Sequence, residues 1–377
     1  MSSEPEQTRT YHGIGLMSGS SLDGLDIALC SFEGSASAQN PFVLQNWALM
    51  AAQTAPFSEE WKRRLEALPQ ASALTFAKTH VDFGHYLGEL VADFLPGKAK
   101  PDFIASHGHT VFHFPEQQFT TQIGDGASLA AKTGCTVISD FRSSDLAMGG
   151  QGAPLAPLAD QWLLPRFDFY LNLGGIANIS CNTGDRFVAF DISGANQILN
   201  ALVKPTGWPY DKDGQLAAKG QLNEELLEQT NQLTFFKQPY PKSLGNDWVQ
   251  EQQVKPYLQF DAPLEDKLHT ACVQIGQQIA TAVRQITERE NMSKRHFQLL
   301  ITGGGAFNHF LVQCIKKEVN RICPVAIETP DPSIISFKEA CLIALMGVLR
   351  IEKQPNCLAS VTGARQNAIG GAIYHGH

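Results

Sequence analysis

The sequence predicts an α/β protein with two domains. Three observations carry that expectation. The chain has 377 residues, more than one hydrophobic core usually organises. Short apolar runs that end in glycine-rich turns alternate with longer segments repeating apolar residues at helical spacing, as strands and helices do. The alternation also occurs twice, from Gly13 to Ser139 and again from Phe167 onward.

The first half opens with GIGLMSGSSLDGLDIAL, Gly13 to Leu29. An apolar run ends at Met17, a small polar turn follows, and a second apolar run leaves it, which predicts a hairpin. Phe42 to Ala52 reads as another strand. Pro56 and Ser58 mark a helix start before EEWKRRLEAL, and Phe76 to Leu95 is a second amphipathic helix. Asp102 to Ser106 is a short buried strand running into HGHTVFHFP. Ala127 to Lys132 is helical and Thr136 to Ser139 extended. Asp140 to Pro157, with Gly149, Gly150 and Gly152 ahead of two prolines, predicts a loop at a domain junction or cleft wall. In the second half FDFYLNLGGIANIS and FVAFD predict strands. Helices are expected at Ala195 to Leu202 and Leu264 to Glu290, and a strand at Phe297 to Thr302. The glycine-rich end, VTGARQNAIGGAIY, is expected to return to the first domain. No short internal repeat is visible.

Composition excludes several classes. At 43% hydrophobic and 18% charged residues, this is a globular protein. A formal charge of −8 lacks the basic footprint of a nucleic-acid partner. No apolar run reaches membrane-spanning length. The N-terminus, MSSEPEQTRTYHG, lacks a signal-peptide core, so a cytoplasmic protein is expected. The eight cysteines form no CxxC pair and read as reduced, mostly buried residues.

Four glycine-rich turns follow predicted strands. In the first, Gly19 and Gly24 permit close backbone approach, and Ser18, Ser20 and Ser21 add hydroxyls. Such a turn can aim N–H groups at an anion, or be an ordinary polar turn. Asp23 beside it can face a magnesium ion through water. The second turn holds Gly174 and Gly175. The third, Gly303, Gly304 and Gly305, allows the backbone to pack on a flat ligand such as a nucleoside. The fourth is Gly149 to Gly152. No GxxxxGK[ST] and no strand-borne GxGxxG occurs, which excludes a P-loop and weakens a dinucleotide site.

Asp191, at the predicted end of FVAF, stands where a general base would. The alternative is that Asp191 or Ser193 caps the following helix. Asp140 and Asp145 frame Arg142, as a local ion-pair network would. His107, His109 and His113 would share one face of an extended segment. A metal site there lacks further ligands, so substrate contact or packing is the competing account. Lys242 and Ser243 are read as phosphate contacts or as a solvated turn, Asp211 and Asp213 as a capped turn. Glu339 is a helix-start charge or a carboxylate turned to a cleft.

Two Gly/Asp loops followed by a later triple glycine resemble the actin, hexokinase and Hsp70 superfamily. That resemblance implies a two-domain actin-like (ribonuclease H-like) fold with ATP and magnesium in a cleft between the domains. The expected boundaries are 1–140 plus 361–377 for one domain and 141–360 for the other. The ordered set MSGSSLDGLD, ASHGHT, DFRSSDLAMGGQGAPL, LNLGGIANIS, FDISGAN, YDKDG, PKSLG, TGGGAFN and SVTGA is similar to the anhydro-N-acetylmuramic acid kinase family, over about residues 12 to 374. The resemblance implies an ATP- and magnesium-dependent enzyme of bacterial cell-wall recycling. Its reaction opens the 1,6-anhydro ring of anhydro-N-acetylmuramic acid with water, phosphorylates O6 and releases ADP.

By that resemblance Asp191 takes a proton from the attacking water. Gly19, Ser20, Ser21, Asp23, Gly24, Gly174 and Gly175 hold phosphates, and Gly303, Gly304 and Gly305 lie against the nucleoside. His107, His109, Arg142, Asp145, Asn196 and Glu339 meet the sugar. A homodimer is the family tendency. The sequence departs from the family pattern at several points. MSGTSLDG has Ser20, SHGQT has His109, FRRRD is FRSSD with Ser144 for an arginine, FDTGPGN is FDISGAN, and PKSTGRE is PKSLGND. These departures bear on the sugar site, because a serine cannot replace a charge-assisted arginine contact. The competing readings are a kinase of the same superfamily for another amino sugar, a nucleotide-switched interaction protein, and a metal-dependent binding protein built on the three histidines.

Overall fold

A computed structural model describes residues 7–19, 22–37, 40–184, 187–294 and 296–376. The chain divides into two compact units, Met1–Pro165 with Phe337–His377, and Arg166–Ser336. The boundaries therefore fall at 165 and 337 rather than at 140 and 361. Packing explains both shifts. Helix Ala156–Leu163 sets Leu158, Ala159 and Leu163 into the core of the first unit. Helix Pro332–Ile351 adds Ala340 to Met346 and Val348 and Leu349 to the same core.

The first unit is built on a seven-stranded sheet. Strands β1 (Gln7–Ser18), β2 (Gly24–Ala36) and β3 (Val43–Pro56) form an antiparallel meander. β4 (Phe103–Phe114) joins β1 in parallel, β5 (Phe119–Ile123) folds back on β4, and β6 (Thr136–Ser139) continues the parallel set. β12 (Ala372–Tyr374) closes the edge against β6, so the C-terminal segment does return to the first unit. Residues of β2 alternate between two cores. Ala28, Cys30 and Phe32 face helices Ala156–Leu163 and Pro332–Ile351, whereas Ile27 and Leu29 face helices Glu59–Ala67, Ala73–Phe94 and Gly126–Thr133. Gly15 is fixed by this layering: a Cβ there would stand 1.8 Å from the Ala340 carbonyl oxygen.

The second unit carries a five-stranded sheet in the order β11-β10-β7-β8-β9. Its members are β7 (Phe169–Leu173), β8 (Ile176–Asn182), β9 (Phe187–Gly194), β10 (Phe297–Thr302) and β11 (Val325–Glu328). Again three strands form an antiparallel meander; β10 joins the first of them in parallel, and β11 continues the parallel set beyond β10. β3-β2-β1-β4-β6 and β9-β8-β7-β10-β11 are thus one strand order built twice, without a repeat visible in the sequence. Helices Asn196–Val203, Leu264–Arg289 and His309–Asn320 cover one face through Ile198, Leu268, Ile275, Leu311 and Ile315.

Local chemistry explains the helix starts. Ser58 accepts from the Trp61 amide, Ser72 from Thr75, Asp125 from Ser128 and Asn308 from Leu311. Two sequence expectations are corrected. β4 runs on to Phe114, because β5 pairs with the stretch expected to leave the strand. The predicted loop 140–157 contains the short helix Ser143–Ala147 and the start of Ala156–Leu163. Among the described residues, no helix is long and apolar enough to cross a membrane.

Candidate active site

The repeated strand order places the expected residues at equivalent positions. Gly19 to Asp23 joins β1 to β2, as Gly174 and Gly175 join β7 to β8. His107 and His109 lie on β4, the fourth strand of its sheet. Gly303 to Gly305 follow β10, the fourth strand of the other. Each unit therefore offers a hairpin turn and residues of its fourth strand.

In the first unit, Ser20 and Ser21 lie outside the described residues. Around them, the Gly19 carbonyl accepts from the Leu22 amide at 3.4 Å, and Leu22 adopts φ +58°. Gly24 has a packing reason for being glycine: a Cβ would come within 2.4 Å of the Ala55 carbonyl oxygen on β3. Asp23 is exposed. Asp26, which the sequence reading missed, is half-buried and accepts from Thr54 Oγ1 at 2.6 Å. Burial, and then the Asp23 charge, raise its carboxyl, while the Thr54 bond opposes them.

Ser18 Oγ shares a 3.1 Å hydrogen bond with His109 Nδ1, tying the hairpin to β4. Arg142 donates from Nε to His107 Nε2 at 2.8 Å and from Nη1 to the Gly152 carbonyl at 2.5 Å. His107 Nε2 is then an acceptor, so its proton sits on Nδ1 and goes to the Gly108 carbonyl at 3.0 Å. Burial first, and the Arg142 charge next, push His107 down to about 3. Burial also lowers His109 and Arg142, with the Cys357 thiol and Glu339 carboxylate opposing it at Arg142. Glu339 is exposed and lies well inside helix Pro332–Ile351 rather than at its start.

Three expectations change here. His107, His109 and His113 do not form one ligand face: Gly108 at φ +72° breaks the pleat, and the rings turn to Arg142, Ser18 and Thr120. Asp140 and Asp145 form no ion pair with Arg142. Asp140 accepts from the amide and hydroxyl of Ser143, at the start of the short helix. Asp145, expected at the sugar, is fully buried. Its Oδ2 accepts from the Gly152 amide and its Oδ1 from the Thr362 hydroxyl, both at 2.8 Å. The fourth glycine turn is therefore wrapped round a carboxylate, and a Cβ on Gly150 would lie 2.2 Å from Asp145 Oδ2. Thr362 was not singled out, although SVTGA carried it.

The second unit brings Gly174, Gly175, Asn196 and the triple glycine together. The Gly175 carbonyl accepts from the amides of Ala195 and Gln197, and the Gly174 carbonyl from Asn196. These bonds start helix Asn196–Val203 without a side-chain cap. Asn196 Nδ2 donates to the Leu173 carbonyl at 3.0 Å. Gly303 adopts φ +80°, and a Cβ there would stand 2.5 Å from Asn172 Oδ1 and 2.8 Å from the Leu173 backbone. Gly304 differs: its nearest neighbour would be Asn196 Nδ2 at 3.7 Å, an ordinary contact that leaves room for a side-chain carbon.

Asp191 is half-buried within β9. Its Oδ2 accepts from the Leu244 amide at 2.8 Å, and its own amide donates to the Lys242 carbonyl at 3.1 Å. The alternative role as helix cap is removed by this geometry; Ser193 Oγ is likewise engaged, by Gln253 Nε2 at 2.9 Å. Burial raises the Asp191 carboxyl, and the Leu244 bond works against it. Lys242 donates to the Phe235 carbonyl at 3.1 Å, and burial lowers its ammonium. Asp211 caps its turn through the Leu216 and Ala217 amides, as expected.

The family model described as anhydro-N-acetylmuramic acid kinase matches residues 11–376. The anhydro-N-acetylmuramic acid kinase of Coxiella burnetii is 35% identical, over 96% of this chain and 97% of its own length. That of Photobacterium profundum is 35% identical over 96% and 98%, and that of Haemophilus influenzae 33% identical over 96% and 97%. Among solved structures, the activator of the 2-hydroxyisocaproyl-CoA dehydratase from Clostridium difficile is similar at 15% identity and a TM-score of 0.41, over 91% of this chain and 97% of that one. A likeness so slight carries no weight here. The family match spans nearly the whole chain, and this protein belongs to the anhydro-N-acetylmuramic acid kinase family.

Proposed function

We propose that this chain uses ATP and water to convert 1,6-anhydro-N-acetylmuramic acid into N-acetylmuramic acid 6-phosphate and ADP, as a cytoplasmic enzyme of peptidoglycan recycling. Its units are read as actin-like, ribonuclease H-like domains that clasp ATP in a cleft. The observation that carries the reading is Asp191. It is a half-buried carboxyl raised by burial and steadied by one backbone amide. A general base needs such tuning toward the operating pH and a fixed direction.

In the proposed reaction Asp191 accepts a proton from water. The water oxygen bonds to C1 of the sugar as the C1–O6 bond breaks. O6 takes the γ-phosphoryl group, and the bond from that phosphorus to the β,γ-bridging oxygen breaks to release ADP. Positioning and charge stabilisation do most of such work. Gly19 and the turn at Gly174 and Gly175 hold phosphates, with Ser20 and Ser21 assigned there by resemblance. Gly303, Gly304 and Gly305 lie against the nucleoside, and Asn196 meets the sugar. Arg142, held by His107, and the exposed Glu339 meet the sugar, together with His109. Asp145 acts by holding the Gly150–Gly152 turn.

Magnesium fits the donors present. Asp23, exposed at the first hairpin turn, would hold it through water, with the half-buried Asp26 nearby as a second carboxylate. Magnesium typically uses one or two carboxylates, through water, together with substrate phosphates. When bound it would neutralise charge on those phosphates.

Asp191→Asn is the test. The variant keeps the shape and removes the base, so kcat should fall by about 10²–10⁴-fold with ATP affinity little changed. Turnover at the wild-type rate would overturn the assignment.

A further inference from the structure

We propose that Gln253 is the positioning residue for the base: its buried amide holds the turn that carries both Asp191 and Asn196. The proposal rests on the reading of Asp191 as the base.

Asp191 is not on a regular strand. In the pairing of β8 with β9, Ala177 faces Ser193 but Asn178 faces Asp191, so Ile192 is an extra residue. Such a bulge bends the strand and re-aims its side chains, and bulges gather near active sites. β9 is also the edge of its sheet, with β8 as its one neighbouring strand. Something else must hold the bulge, and two segments do. On one side the Lys242–Leu244 backbone clasps Asp191 itself. On the other, Gln253 spans Ser193 and Gly194, the two residues after the bulge. Its Oε1 accepts from the Gly194 amide at 2.7 Å, and its Nε2 donates to Ser193 Oγ at 2.9 Å.

The clamp is rigid. Gln253 is 2% exposed, and both ends of its amide are occupied. It sits in a π-helical stretch, Gln250–Val254, a geometry that recurs at functional sites because it displaces side chains from the α-helical register. The turn also packs on the preceding helical residues, since a Cβ on Gly194 would lie 2.7 Å from Val249 Cγ1. Immediately beyond, Asn196 is fixed to the Leu173 carbonyl. Movement of this turn would therefore shift the base and Asn196 together.

The residue that Gln253 holds needs holding. Glycine leaves its own φ unrestrained, and a buried pair of hydrogen bonds, to the Gly194 N–H and to the Ser193 hydroxyl, supplies the restraint.

Gln253→Met keeps the side-chain length and removes both bonds. Steady-state kinetics with MgATP and the anhydro sugar should show kcat about 10- to 100-fold lower, the scale of a modest misplacement of reacting groups. KM for ATP should change by a smaller factor than kcat, since Gln253 itself bonds Ser193 and Gly194 and reaches the Gly174–Gly175 turn only through the start of the following helix. The acid limb of kcat/KM should move to higher pH, because a loosened turn weakens the Leu244 bond that lowers the Asp191 carboxyl. A purely structural role would lower the melting temperature and leave that limb in place. Ser193→Ala removes one bond only and serves if the first variant does not fold; it should lower kcat about threefold or more, with the same direction of limb movement. Unchanged kcat and an unmoved limb in a folded variant would overturn the proposal. Asp191→Asn separates the two claims. If it turns over at the wild-type rate, the base reading fails. If it is inactive while Gln253→Met is fully active, only the clamp fails.

Discussion

Replacing Asp145 should cost the first unit several kcal/mol, and the replacement chosen should decide how many. Asp145 is fully buried, with one oxygen on the Gly152 amide and the other on the Thr362 hydroxyl. Asp145→Ala strands the amide in a dry site. The Thr362 hydroxyl can still turn to the Leu358 carbonyl at 3.3 Å, so its loss is partial. An unpaired buried donor costs about 1–3 kcal/mol, and bonds to a charged acceptor sit at the upper end. With the small cavity added, about 3–5 kcal/mol is expected. For a unit of this size each kcal/mol moves the melting temperature by about 2–4 °C, so a drop of roughly 6–20 °C follows. Asp145→Asn should behave differently. Its oxygen can keep the Gly152 amide, and its nitrogen can donate to Thr362 Oγ1, which then donates to Leu358. That arrangement pairs every group and should cost only about 1 kcal/mol. Calorimetric melting of the two variants tests the difference. An Asp145→Ala protein melting within about 2 °C of wild type, or an Asn variant as damaged as the Ala variant, would refute the reasoning.

Two further outcomes follow from neighbouring geometry. Gly303→Ala meets a positive φ and backbone atoms at 2.8 Å, so it should both lower the melting temperature and weaken ATP binding. Gly304→Ala has 3.7 Å of clearance, so it should fold as wild type and lose only nucleotide affinity, checked by melting alongside calorimetric ATP titration. His107 offers a pH signature. Its folded value, about 3, lies below the ordinary 6.5, so the unfolded chain binds the extra proton as pH falls through that window. Its contribution to stability is present at neutral pH and is lost progressively from about 6.5 toward 3. His107→Gln keeps an acceptor for Arg142 but does not titrate. The gap in melting temperature between wild type and variant should therefore shrink from pH 7.5 to 4.5, and a gap constant across that range would contradict the assignment.

Much of the fold was legible because its signals are local. Ser58 ahead of EEWKRRLEAL names a cap and an amphipathic face together, and the helix begins at Glu59 as those residues require. Phe297–Thr302 and Thr136–Ser139 are short apolar runs bounded by turn residues, and both are strands. What failed to show depends on distant partners. HGHTVFHF carries no strand alternation, because its pairing with Phe119–Ile123 is what makes it a strand. The helix at Ala156–Leu163 lies between prolines and glycines and is held by the core it packs into. The site divides in the same way. Asp191, Asn196 and the glycines stand in recognisable blocks. Leu244 and Gln253, which orient Asp191 and its turn, lie 53 and 60 residues from the groups they bind and carry no local sign of it. Asp145 shows the reverse: an acid within a glycine-rich block suggests a substrate contact, yet its oxygens hold a turn.

Ring opening and phosphoryl transfer are proposed to be one reaction. The most direct measurement is identification of the product formed from MgATP and anhydro-N-acetylmuramic acid by proton–phosphorus correlation NMR, with ADP counted in parallel. The account predicts a reducing sugar with phosphate on O6 and one ADP for each sugar consumed. A phosphorylated product that retains the anhydro ring, with phosphate on another hydroxyl, would contradict it, as would ADP release without a phosphorylated sugar.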